Sequence, residues 1–181
     1  MEEINIMEAM FRDLKENEID CRVSQINDKG LTLLLYKDAR VDMDILDETV
    51  GAKNWQRRHI RDNANCIIEI WDEEKKQWIS KEDTGTESFS EREKGLASDS
   101  FKRAGFNWGI GRELYTAPFI YIPQKDKDGE DNFELTEKNN KKTTYTKFVV
   151  EKIQITDKVI TALAIKNNKG KRVFLYQKVG G

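Results

Sequence analysis

The sequence predicts an α+β protein dominated by antiparallel strands, and three patterns carry that expectation. Three short strand-like runs, NWQRRHIR, ANCIIEIW and KQWISKED, follow one another across polar turns. A segment with apolar residues at helical spacing comes after them, from Glu93 to Trp108. Three more alternating runs, TYTKFVVEKIQIT, KVITALAIKN and KRVFLYQK, close the chain. Strands joined by such short turns pair antiparallel, because a parallel crossover needs a dozen or more residues.

The other elements follow in order. Residues up to about Ile19 suit a short amphipathic helix with Ile6, Met10 and Leu14 on one side. CRVSQIN and LTLLLY flank the turn Asn27-Asp28-Lys29-Gly30 and read as a hairpin. ARVDMDILDETVG reads as a helix with Val41, Ile45 and Thr49 on one side and Gly51 as its stop. Tyr115–Ile122 is expected as a short apolar strand ending at Pro123. PQKDKDGEDNFELTEKNNKK is charged, rich in turn formers and carries a single aromatic, so it is expected to be a mobile linker. Asp126, Asp128 and Asp131 within it resemble a calcium loop only superficially, since the ligand register and the distal Glu are wrong. The expected organisation is thus residues 1–122, a flexible charged linker at 123–142 and a basic strand extension at 143–181.

Composition narrows the function classes. A chain of 181 residues with 38% apolar and 35% charged content is expected to be soluble and globular, with no apolar run long enough for a membrane span. Acids among the first ten residues argue against a secretory leader. Cys21 and Cys66 are too few for a disulfide framework and have no metal-ligand spacing, so both are expected as reduced thiols in a cytoplasmic protein. The net charge of -2 hides an asymmetry: from Lys138 onward there are 11 Lys or Arg against two acids, leaving the preceding residues strongly acidic. Such a split suits a basic face for a polyanion, an electrostatic contact between subunits, or simply solvated strand edges.

Two basic clusters stand out. In EKGLASDSFKRAGFNWGIG, Ala97, Phe101, Ala104 and Trp108 form an inward stripe, and Lys102 and Arg103 flank the opposite side with Gly95 and Asp99 between them. Two cations among small residues leave room for a phosphate, although an ordinary amphipathic helix has the same pattern. The following Gly-x-Gly lacks the Lys-Ser or Lys-Thr of a nucleotide loop, so no nucleotide cofactor is expected. In NWQRRHIR, a strand places Trp55, Arg57, His59 and Arg61 on one face. That face suits single-stranded nucleic acid, or else Trp55 is core and the arginines pair with acids on neighbouring strands. The acids Asp42, Asp44, Asp47 and Glu48 raise the separate idea of a metal-dependent nuclease. Only Asp44 with Asp47 or Glu48 shares a helical face, and no recognisable nuclease Lys or His accompanies them.

Taken together, ARVDMDILDETVGAKNWQ, the strand run ending in KEDTGTE, EKGLASDSFKRAGFNWGIG and ELYTAPFIYI resemble the annealing domain of the Rad-fifty-two family, especially its phage members of the Sak type. The resemblance covers roughly residues 10–122 and keeps the family's order of elements. It implies an α+β fold: an antiparallel β-β-β-α annealing core with an N-terminal hairpin, here extended by C-terminal antiparallel strands, assembling into an oligomeric ring. It also implies ATP-independent binding and annealing of single-stranded DNA in recombination and double-strand-break repair, with no catalytic residue, cofactor or metal. The family's Lys-Arg pair falls on Lys102 and Arg103, and an arginine before the preceding helix falls, with a one-residue shift, on Arg40. Trp55, Arg57 and Arg61 complete the expected DNA-binding set. A phage or prophage origin, and an exonuclease or single-strand-binding protein as a partner, follow from the same resemblance. A single-strand-coating protein that does not anneal is the main alternative. The short TESFSERE segment leaves no lysines for the further outer DNA site of the eukaryotic relatives.

Overall fold

The structure, a computed structural model, describes residues 11–86 and 92–178. The chain is α+β, mostly antiparallel sheet with two α-helices among the described residues. In chain order the first elements are β1 (Asp20–Ile26), β2 (Gly30–Tyr36), α1 (Ala39–Val50), β3 (Trp55–Ile60), β4 (Asn65–Asp72), β5 (Gln77–Thr84) and α2 (Arg92–Trp108). After these come β6 (Ile120–Pro123), β7 (Thr136–Lys138), β8 (Lys141–Thr143), β9 (Phe148–Thr156), β10 (Val159–Asn167) and β11 (Arg172–Gln177). Two compact units result, one built around Asp38–Arg112 and the other from Leu14–Lys37 with Glu113–Gly181. The units cut across the expected boundaries, since the β1–β2 hairpin belongs with the C-terminal strands.

In the first unit, α1 begins where the Asp38 carboxylate accepts the Arg40 N–H at 2.8 Å, one of the donors a helix start leaves unpaired. It ends at Gly51, whose φ of 86° a side chain would strain. Its buried side is Asp42, Ile45, Leu46 and Val50, rotated by about one residue from the expected Val41, Ile45 and Thr49. The three-stranded meander runs β3-β4-β5, and Cys66, Ile68 and Ile70 of the central strand are almost completely buried. Helix α2 packs on β4 and β5. Phe101 and Ala104 lose all exposure there, while Ala97 and Trp108 of the expected stripe are half-buried. Ser100 is buried as well, because its hydroxyl is satisfied by the carbonyls of Asn63 and Ala97.

The second unit is a six-stranded sheet in the order β11-β10-β9-β1-β2-β6. Its edge strands β11 and β6 also touch, so the sheet curls around a core that includes Leu31, Leu33, Ile122, Phe148, Leu163 and Ile165. The hairpin turn forms as expected, with Asn27 Oδ1 accepting the N–H groups of Lys29 and Gly30.

Three expectations are corrected or limited. Tyr115–Ile122 is not one strand: Arg112–Thr116 is a 3-10 turn closed by the Thr116 hydroxyl on the Glu113 carbonyl, and β6 begins only at Ile120, beyond Pro118. Residues 123–142 carry structure that the charged composition concealed. Asn132 and Phe133 are buried, β7 pairs with β8, and Asp126 accepts two backbone N–H groups while pairing with Lys171 at 2.7 Å. Some of the charges there have local partners, Lys171 for Asp126 and Asp131 for Lys125. Of the N-terminal helix, Ile6 and Met10 lie outside the described residues, and Leu14 is buried just before a 3-10 turn at Glu16–Glu18.

Candidate nucleic-acid interface

Arg40 and Lys102 come from different helices, and the charges of both act on the Asp38 carboxylate. Asp38 Oδ1 accepts from Arg40 Nε at 2.9 Å, and Oδ2 accepts from Nη2 at 3.3 Å, a two-pronged pair at the start of α1. Those bonds, and the Arg40 N–H, hold the Asp38 carboxyl below its usual range, and the nearby charge of Lys102 on α2 lowers it further. The Arg40 side chain is 82% exposed, so its guanidinium is open to an exchange of partners. Asp38 is a residue of this arrangement that the sequence reading passed over. Its signal is an N-cap Asp two positions before an Arg.

Arg103 turns a different way. Its Nε donates to Asp99 Oδ2 at 3.1 Å, one turn back along α2. Burial pushes the Asp99 carboxyl up, but the Thr86 N–H, the Arg103 guanidinium and the Thr86 hydroxyl outweigh it and leave the value lowered. Adjacent helical residues project about 100° apart. Lys102 therefore serves the α1 side and Arg103 the side where the chain leaves β5.

The β3 cluster is divided. Trp55, Arg57 and His59 do share a face, but that face is turned to α2. The Trp55 ring stacks on Phe101 with centroids 6.3 Å apart, and its Nε1 donates to Asp47 Oδ1 at 2.6 Å. The Arg57 guanidinium lies 4.6 Å from the centre of the same Phe101 ring. His59 Nδ1 is 3.4 Å from the Ser100 hydroxyl, and burial, with the Arg57 charge, lowers its pKa. Arg61 does not join this face: β3 ends at Ile60, and Arg61, Asp62 and Asn63 all take positive φ in the turn to β4. The acid-paired arginine of this strand is Arg58, on the opposite face beside Glu69 at 3.6 Å.

The motif residues that mark the α2 region act as fasteners. Asn107 Nδ2 donates to the Glu82 carbonyl at 2.9 Å and to Asp83 Oδ2 at 3.2 Å, tying the helix end to β5. Trp108 Nε1 donates to the Ile68 carbonyl at 3.2 Å, while Lys81 Nζ sits 4.5 Å from the Trp108 ring centre and donates to the Asn107 carbonyl. Gly85 follows β5 where a Cβ would stand 2.6 Å from the Ser100 nitrogen and 2.9 Å from the Leu96 oxygen. Only glycine lets the strand exit pass α2 this closely.

The acids of α1 are dispersed. Asp42 is buried beside Gly105, Asp47 serves Trp55, and Glu48 pairs with Arg12 at 2.6 Å. Among the described residues no group of three or more His, Cys, Asp or Glu is placed to hold a metal ion, and no helix is long and apolar enough to cross a membrane. Burial raises the thiols of Cys21 and Cys66, to about 12 and about 11. Comparison with protein-family models, curated proteins and solved structures returns no match.

Proposed function

We propose that the chain binds single-stranded DNA through Arg40, Lys102 and Arg103 and anneals complementary strands without nucleotide hydrolysis, as part of recombination or repair. The observation that carries this reading is the exposed pair of Arg40 with Asp38, a carboxylate that the charge of Lys102 also reaches. A phosphate offers the guanidinium the same two-oxygen geometry as that carboxylate. Exchange of one for the other sacrifices little, because exposed ion pairs contribute only about 0–1 kcal/mol. Asp38 and Asp99 thus hold the cations ready while limiting the grip on any one phosphate, and strands stay free to shift register.

Phosphate contacts give affinity without sequence preference. With the backbone held by cations, the bases are left to test a complementary strand, and stacking and pairing supply the free energy. Arg61, exposed on the β3–β4 turn, belongs to the proposed contact, whereas Trp55 and Arg57 serve it by positioning α2. The acidic and basic parts of the chain suit head-to-tail contacts between copies, which close into a ring when the rotation permits.

The test is the salt dependence of oligothymidylate binding. Lys102→Ala and Arg103→Ala should each reduce the slope by about 0.7, the value per phosphate for a single strand, and Asp38→Asn should tighten binding. Wild-type slopes in both alanine variants, with the fold intact, overturn the assignment.

A further inference from the structure

The basic C-terminal strands take no part in the interface above, yet their outer face forms a groove. Across β9, β10 and β11 the pairing register sets Lys152 opposite Ala164 and Ala164 opposite Leu175. The neighbouring pairs are Gln154 with Ala162 and Ala162 with Gln177. On the other side, Lys166 pairs with both Val149 and Arg172. Because the two alanines are short, the centre is a depression of about 350 Å³ lined by Lys152, Gln154, Ala162, Ala164, Arg172 and Leu175 among others. Leu175 stands 68% exposed at its rim, a large apolar group left in water.

The charge around this groove is lopsided. Glu151 pairs with Arg172 at 2.6 Å, and Lys166 and Lys152 lie close enough to act on the same carboxylate. Three cations therefore surround one acid, and neither lysine forms an ion pair of its own among the described residues. The alanine floor and Leu175 offer apolar contact between this cationic row and the two glutamine amides. A polyanion whose backbone is charged and whose bases carry both apolar faces and amide-like edges is complementary to each part.

We propose that this groove on β9–β10–β11 is a second contact for single-stranded nucleic acid, with Lys152, Lys166 and Arg172 on the phosphates and Ala162, Ala164 and Leu175 against sugars and bases. The choice of ligand rests on the single-strand reading given above, but the residues and the element are separate from it. An acidic peptide is the other occupant that the charge allows, and the test below distinguishes it.

The experiment measures oligothymidylate affinity of the full chain against salt for Lys152→Ala, Lys166→Ala and Glu151→Gln, beside Lys102→Ala and Arg103→Ala. Each groove lysine variant should lose about 0.7 from the slope, and Glu151→Gln should gain about that much by freeing Arg172. A gain in binding by Glu151→Gln with unchanged circular dichroism and melting keeps the test decisive even where an alanine variant is unstable. Wild-type slopes in all three groove variants overturn the groove and leave the α2 site standing; an acidic peptide as its true occupant gives this result. Reduced slopes in the groove variants alone support the groove and remove the α2 site. No binding by the wild-type chain overturns both.

Discussion

Arg57 and Trp55 both lie against the ring of Phe101, the guanidinium 4.6 Å from its centre and the indole stacked at 6.3 Å. Two side chains that the sequence offers as a nucleic-acid surface thus contact α2, with Arg57 still exposed. Arg57→Ala should cost about 0.5–2 kcal/mol in urea unfolding, the range for a cation on an aromatic face. The salt slope for single-strand binding should stay at the wild-type value. A reduced slope with unchanged stability would mean that Arg57 touches the strand.

Gly85 should be intolerant of any side chain. A methyl group there meets the backbone of α2 at Ser100 and Leu96, atoms that cannot swing aside. Gly85→Ala should lower unfolding stability by about 1–3 kcal/mol, as overpacking does elsewhere. Stability equal to wild type would show that the β5 exit is free to move off the helix.

Most of the first unit was legible because its signals are local. The end of α1 follows from Gly51, and the meander from three strand runs separated by polar turns. The inward stripe of α1 was misjudged by one position because Asp42, which hydropathy places outside, is buried beside Gly105. In the second unit the sheet order was not legible. Pairing of β1 with β9 joins residues far apart in sequence, and no local pattern encodes such a partner. The segment at 123–142 reads as linker from composition, although Asn132 and Phe133 are buried and Asp126 pairs with Lys171 outside it. At the candidate site, Lys102 and Arg103 were visible by helical spacing. The acids beside them are less legible: Asp38 lies far from Lys102 in sequence, and Asp99 reads as a spacer between cations.

Acid should weaken the hold on Arg103. The Asp99 carboxyl is lower in the folded chain than its ordinary value near 3.9, so its stabilising contribution is complete above that value and disappears as the pH falls through the folded one. Asp99→Asn should therefore be less stable than wild type at neutral pH, with the difference shrinking below about pH 4. A constant difference down to strong acid would mean that the Thr86 and Arg103 bonds do not depend on the carboxylate's charge.

Assembly follows from the proposed function and is open to light scattering. The chain should form a large closed species at micromolar protein, weakened by salt if opposite charges join the copies. A monomer at every concentration and ionic strength would contradict the ring.

The central claim is annealing, and the most direct measurement mixes labelled complementary single strands with the protein in chelator and without nucleotide. The account predicts duplex formation well above the spontaneous rate, reduced in Lys102→Ala and Arg103→Ala in proportion to their lost binding. Tight binding with only the spontaneous rate would make the chain a coating protein, and strand cleavage on addition of metal would make it a nuclease; either result contradicts the account.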